Sequence, residues 1–198
     1  MPAKSKPSEY IKLFQKTKAL LKGHFKLSSG LHSPEYFQCA LVLQYPKTAE
    51  KLGKDLARKL KPFKPQAVVS PALGGVVIGQ EVARALVVRA IFTERKDGVM
   101  SLRRGFQVGK NERLVVIEDV ITTGKSTNEV VQCVSALGGK VVAVGSVVDR
   151  SSTSPGFTVP FQSLLKMEVV TFSEDALPDW LAKVPLTKPG SRPEKQPI

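Results

Sequence analysis

Two adjacent acids and a hydroxyl-rich turn stand side by side in VVIEDVITTGKST, Val115 to Thr127: Glu118 and Asp119, then Val120, Ile121, Thr122, Thr123, Gly124, Lys125 and Ser126. The ending Gly-Lys-Ser is shared with nucleotide-binding P-loops, which read GxxxxGK[ST]. Five positions before Gly124, where that motif requires its first glycine, this chain has Asp119, so the P-loop reading fails. What remains is a phosphate cradle: backbone N–H groups at a helix N-terminus, the hydroxyls of Thr122, Thr123 and Ser126, and a glycine that lets the backbone come close. A plain Ser/Thr cap of the following helix would explain Thr-Gly-Lys-Ser, but not the acids. Like charges at the end of an apolar strand are costly unless a polyol, a cation or a metal partners them. Acids for the 2- and 3-hydroxyls beside a cradle for the 5-phosphate would grip a ribose 5-phosphate.

Such a turn needs a strand before it and a helix after it, because ligands of open α/β sheets gather beyond the carboxyl ends of strands. RLVVIE is the strongest strand signal in the chain, and Ser126 to Leu137 has helical spacing, with Val130, Val131, Cys133, Val134 and Leu137 on one face. Strand-like and helix-like segments alternate elsewhere too, which predicts an α/β fold with a mainly parallel central sheet flanked by helices. The expected elements are a helix over Ser8 to Lys22 and a glycine-punctuated hood, GHFKLSSGLHSPEYFQCALVL, able to form two short strands. A helix over Lys47 to Lys61 follows, then strands at QAVVS, VVRAIFTE and Val141 to Arg150, and a helix at VVIGQEVARAL. Between Arg95 and Lys110 the chain is charged and lacks either period, which predicts a functional loop or lid. SSTSPGFTVPF reads as a loop, MEVVTF as a last strand and SEDALPDWLAKV as a short helix capped by Ser or Asp. The recurrent prolines from Pro185 predict a disordered tail over 185–198, after a single domain over 1–184 whose hood comes from about 8–45.

The 198 residues, 42% of them hydrophobic, suit one domain with a substantial core. No apolar run is long enough to span a membrane, and MPAKSKPSEY has no apolar stretch of the kind a secretory signal carries, so a cytoplasmic protein is expected. Cys39 and Cys133 lie apart without a CxxC and are expected to be buried free thiols. The net charge of +13 fits nucleic acid, an anionic membrane surface or polyanionic small substrates. Much of it lies on KTAEKLGKDLARKLK, where Ala49, Leu52, Leu56 and Leu60 form the apolar stripe and the lysines a solvated face.

The run of four hydrophobics, two acids, two apolar residues and Thr-Thr-Gly-Lys-Ser resembles the phosphoribosyl diphosphate (PRPP) motif of the type I phosphoribosyltransferases. Further segments are similar to the orotate-using branch: GHFKLSSGLHSPEYFQ to its hood, SPALGG (Ser70 to Gly75) to its diphosphate loop, ERKDGVMSLRRGF to its mobile catalytic loop and SVVDR to its orotate-binding strand end. The resemblance runs over roughly residues 8 to 180, in order.

It implies transfer of the 5-phosphoribosyl group from PRPP to orotate with Mg2+, the metal being held mainly through PRPP with no dedicated protein ligand. Glu118 and Asp119 would hold the ribose, Val120 to Ser126 the 5-phosphate, and Arg150 with Thr122 the orotate. Arg95 and Lys96, with Arg103 and Arg104, would bring four cations to the diphosphate, on a lid that closes over the neighbouring subunit of a homodimer. Tyr36 and Phe37 could stack on the pyrimidine or serve the core. His24 and His32 are left as surface or hood residues. The chain departs from the branch in having Gly74 and Ser28 where better-known members have lysines, and no histidine in the mobile loop, where Arg103 or Arg104 would substitute. The alternatives are a transferase for another base, or a PRPP-sensing nucleic-acid-binding regulator. The latter is disfavoured, because no aromatic-interleaved basic motif or helix-turn-helix is visible, and neither a nucleic acid nor a membrane is expected as a partner.

Overall fold

The computed structural model describes residues 7–27, 30–167 and 170–188. Ser28 and the tail from 189 onward lie outside them, as do Glu168 and Val169 of the expected last strand. The chain forms two compact units, one of Met1–Ala19 with Cys39–Glu168, the other of Leu20–Gln38 with Val169–Ile198.

The larger unit is built on a six-stranded sheet. In chain order its strands are β3 (Ala67–Pro71), β4 (Arg89–Lys96), β5 (Val99–Leu102), β6 (Arg113–Ile121), β7 (Lys140–Asp149) and β8 (Phe161–Lys166). In space they run β5-β4-β3-β6-β7-β8, all neighbours parallel except β4 and β5. The sheet grows outward from β3 to β4 and then returns to the other side of β3 with β6, so the order reverses between β3 and β6. Such a switch point opens a crevice at the strands' carboxyl ends.

Helices cover both faces. Helix α3 (Pro46–Leu60) lays its expected stripe against the sheet, with Leu52, Leu56 and Leu60 fully buried and Leu56 and Leu60 against Gly145. Helix α4 (Gly74–Leu86) packs beside it. On the opposite face Val130 and Val134 of α5 (Lys125–Ala136) join Val69, Val116 and Val144 in one apolar cluster. The rest of the expected α5 stripe is less covered: Val131 and Cys133 are half-buried and Leu137 is exposed, so of the two thiols only Cys39 is buried. The lysine-rich face of α3 is solvated and internally paired, Lys51 with Glu9 and Asp55, Lys54 with Glu50, and Arg58 with Asp55. Two short helices, α1 (Pro7–Lys16) and α2 (Ala40–Leu43), also belong to this unit. Both ends of the expected 8–45 hood therefore lie in the larger unit.

The smaller unit pairs β1 (Leu20–Lys26) antiparallel with β2 (His32–Phe37), and β1 parallel with β9 (Leu186–Thr187). The opening helix is shorter than its spacing predicts because Lys18 turns left-handed (φ 53°) and Ala19 N–H closes back onto Phe14 O, a Schellman-type stop that frees Leu20 for the strand. FQSLLK, not foreseen as a strand, is held by β7, whereas the expected strand MEVVTF is only partly among the described residues. Of that segment Phe172 forms one bridge, to His32. SEDALPDWLAKV splits into a 3-10 turn (Glu174–Ala176) and α6 (Asp179–Ala182), preceded by Ser173 and Pro178, neither with a side-chain cap. His24 and His32 are not surface residues. Both are buried, and His24 Nδ1 donates to Val184 O (3.1 Å), leaving its Nε2 to accept from His32 Nδ1 (2.6 Å). Within this unit Phe37 is buried and Tyr36 is half-buried against Phe25.

Candidate active site

The sequence-predicted cradle begins later than expected. Ile121 pairs with Asp149 of β7, so β6 runs past the two acids at its expected end, and Val120 and Ile121, expected in the cradle, are strand. The turn proper is Thr122–Thr123–Gly124, after which α5 starts at Lys125. Gly124 is left-handed (φ 73°), and a Cβ there would stand 2.8 Å from Pro155 and 3.0 Å from Phe157, so both its backbone angle and its surroundings call for glycine. Thr122, Thr123 and Lys125 are exposed beside this turn, and Asn128 Nδ2 donates to Pro155 O (3.1 Å), tying the loop after β7 to the cradle. Pro155, Phe157 and Asn128 escape a reading of the sequence because they carry no charge or periodicity.

Glu118 is buried and Asp119 is half-buried. Ser126, expected on the phosphate, donates its hydroxyl to Glu118 Oε2 (3.2 Å), and Val120 N–H donates to Asp119 Oδ1 (2.8 Å). Burial, and then the charge of Asp119, push the Glu118 carboxyl well above its ordinary value, and burial raises Asp119 as well. Cys39 lies in the same field: burial first, then Asp119 and Glu118, raise its thiol and keep it protonated, while Arg150 acts the other way.

Neighbouring strand ends complete the site. At the end of β3, Ser70 to Gly75 turns into α4 through a cis Ala72–Leu73 peptide, with Ala72 N–H donating to Thr93 O (2.8 Å). There α4 starts so close to β6 that a Cβ on Gly74 would lie 2.8 Å from Asp119 Oδ1, and one on Gly75 2.7 Å from Ile117 O. At the end of β7 Arg150 is buried, its N–H donating to Ile121 O (2.8 Å). The three segments read from sequence as ribose, diphosphate and base sites thus end on adjacent strands, β3, β6 and β7, at the switch point.

The first part of the expected mobile loop, up to Leu102, is a hydrogen-bonded hairpin of β4 and β5. Asp97 and Gly98 both have positive φ (50° and 82°), making a two-residue turn that sets Lys96 opposite Val99 and Arg95 opposite Met100. An Asp-Gly turn between strand-like runs is a strong hairpin signal, and it was the one available. Arg95 is paired with Glu129 of α5 and donates to Gly98 O (3.0 Å), and Arg104 makes two 2.8 Å bonds to Glu94. Lys96 forms no ion pair among the described residues, whereas Arg103 helps Arg104 to lower the Glu94 carboxyl. A concavity of about 520 Å³ lies away from the strand ends, on the basic face between α3 and α4 with Lys47, Lys51, Lys54 and Leu86 in its wall. Its cations are largely paired, and no group there is suited to chemistry.

Residues 43–155 match the phosphoribosyl transferase domain. An orotate phosphoribosyltransferase of Carboxydothermus hydrogenoformans is 53% identical over 183 residues, 91% of this chain and 96% of that protein. One from Caldanaerobacter subterraneus subsp. tengcongensis is 47% identical over 92% of this chain and 96% of its own. Among solved structures, orotate phosphoribosyltransferase from Aeropyrum pernix superposes with a TM-score of 0.67 at 24% identity, over 79% of this chain and 92% of that one. Adenine phosphoribosyltransferase from Leishmania tarentolae superposes with a TM-score of 0.60 at 19% identity, over 91% and 93%. The fold is therefore common to enzymes of different bases, and it is the sequence identity, over nearly the whole chain, that distinguishes the branch: this chain belongs to the orotate phosphoribosyltransferases.

Proposed function

We propose that Glu118 and Asp119 hold the ribose of PRPP, that the turn Thr122 to Ser126 with the end of β6 holds its 5-phosphate, and that Arg150 and Thr122 receive orotate. The chain is a pentosyl transferase of pyrimidine biosynthesis, moving the 5-phosphoribosyl group from PRPP to orotate to give orotidine 5'-monophosphate and diphosphate. The observation that carries the assignment of roles is the meeting of β3, β6 and β7 at the switch point, with the two acids between the glycines of α4 and the hydroxyls of α5.

In the transfer the bond from the anomeric carbon to the diphosphate breaks as the bond to the base nitrogen forms. Positive charge grows on the ribose and negative charge on the leaving group. Carboxylates fixed beside the ribose favour the first change without having to reorganise, and a buried guanidinium is shaped for a carboxylate such as that of orotate. Lys96 and Arg103, with Arg95 and Arg104 if their present pairs open, are the cations we assign to the diphosphate. Glu118 and Asp119 suit a shared Mg2+ in number and charge, and no larger group of His, Cys, Asp or Glu able to hold a metal occurs among the described residues. We propose that the ion is held mainly by PRPP itself, and when bound would neutralise the departing diphosphate. We further propose a homodimer, whose contact would cover the exposed Leu73 and Val77, one helical turn apart at the start of α4, and a cytoplasmic site of action, where such charged substrates are made and used. No helix among the described residues is long and apolar enough to cross a membrane.

Assay of orotate, uracil, hypoxanthine and xanthine as acceptors, with PRPP and Mg2+, tests the reading. Consumption of orotate alone is expected. Turnover of a purine in its place would assign the site to another base.

A further inference from the structure

We propose that Gly74 is a positioning residue for the ribose-binding Asp119: by having no side chain it leaves the Asp119 carboxylate the one place from which that group can be held against the start of α4. The inference rests on the proposed ribose role of Asp119.

The geometry is specific. The three atoms nearest a Cβ built on Gly74 all belong to the Asp119 carboxylate, Oδ1 at 2.8 Å, Oδ2 at 2.9 Å and Cγ at 3.0 Å. The oxygen nearest residue 74, Oδ1, also accepts from Val120 N–H at 2.8 Å. Asp119 is thus bonded to the backbone of its own strand while lying against the Cα of residue 74. The first turn of a 13-residue helix faces it, and the partial positive charge there favours an anion in that orientation. Gly75 differs: its Cβ would meet the backbone carbonyl of Ile117 at 2.7 Å, so that glycine serves the packing of α4 on β6. At Gly74 the three nearest atoms are all of the Asp119 carboxylate, so a side chain begun there meets Asp119 first.

A lysine at this position, which the resemblance implies, would on the present backbone bring its Cβ within 3.0 Å of the Asp119 carboxylate. Here a fixed acid stands in place of a diphosphate-facing cation, and the positive charge for the leaving group must come from elsewhere, with Lys96 the unpaired candidate on the hairpin.

The test is a double-mutant cycle on the full chain with Gly74→Ala, Asp119→Asn and the double variant, read by steady-state kinetics in PRPP at saturating orotate and by thermal melts. A displacement of about 1 Å at a reacting group costs roughly 10²-fold, and Gly74→Ala is expected to lower kcat/KM by that order. Its melting temperature should hold or rise, since alanine is favoured over glycine in a helix. In the Asp119→Asn background the same change should cost less than about threefold, because coupled residues are not additive. Gly74→Lys should lose activity as well. The proposal is overturned if Gly74→Ala stays within about twofold of wild type, if it costs as much with Asn at 119 as with Asp, or if Gly74→Lys gains activity. Titration calorimetry with PRPP on the same four proteins reads the cycle independently of the acceptor. Failure of wild type to consume orotate would therefore overturn the proposed function, and the calorimetric cycle would still decide on Gly74.

Discussion

Glu118 is asked to be charged where charge is expensive. It lies under Asp119, accepts one hydroxyl from Ser126, and is otherwise enclosed by the start of α4. A carboxyl raised on folding contributes stability below its unfolded-state value, and that contribution is lost as the pH climbs through the raised folded value. Near neutral pH the pair therefore strains the fold. Glu118→Gln keeps a hydrogen-bond partner for Ser126 and removes the charge, and we expect it to melt above wild type near neutral pH while losing activity, the usual exchange between stability and function. The gain should shrink as the pH falls toward the ordinary carboxylate range, and a pH-independent difference would refute a buried charge as its cause. These two residues were legible in the sequence because acids end an apolar run there. Gly74, which decides where one of them points, was not, since a missing side chain reveals its neighbour only in three dimensions.

The hairpin β4–β5 carries the second cluster of expected chemistry. Its charge and missing period suggest a loop in the sequence, but alternate residues of a short, two-sided hairpin at a sheet edge need not show apolar alternation. The exposed Asp-Gly turn closes it, and the buried Met100 anchors it in the core. The ion pair of Arg95 with Glu129 ties it to α5, the helix that begins at the phosphate turn. Lys96→Ala should chiefly lower kcat if the hairpin acts on the leaving group, whereas an effect confined to KM would mean that it only helps PRPP to bind. Glu129→Gln should release the hairpin, seen as faster amide exchange over β4 and β5, and unchanged exchange would deny the tie its holding role. The parallel sheet, by contrast, was readable nearly to the residue where strands are buried on both faces. The end of β6 was not, because pairing of Ile121 with Asp149 carries strand geometry two residues past the acids. The α3 stripe was right for a similar reason to the sheet, its period being set by one large apolar face.

The whole chain carries thirteen positive charges in excess, and it handles anions at every step. If that excess guides PRPP to the site, raising the salt from about 0.01 to about 0.15 M, which shortens the screening length from about 30 to about 8 Å, should lower kcat/KM for PRPP several-fold and leave kcat nearly unchanged. No salt dependence would leave the charge a solvated surface alone. The smaller unit was half legible: the two strands of the hairpin were foreseen, but their partner was not, because β9 is two residues long and gives no periodic signal. That pairing has a consequence for how the protein is made. His24 reaches Val184 across 160 positions of chain, and β1 gains its parallel neighbour from the same late segment. At about 5–20 residues per second of synthesis, β1 and β2 stand roughly ten to thirty seconds without that edge, with the whole six-stranded sheet translated in between. This hairpin, made well before that late segment, is thus among the last parts of the protein to be finished.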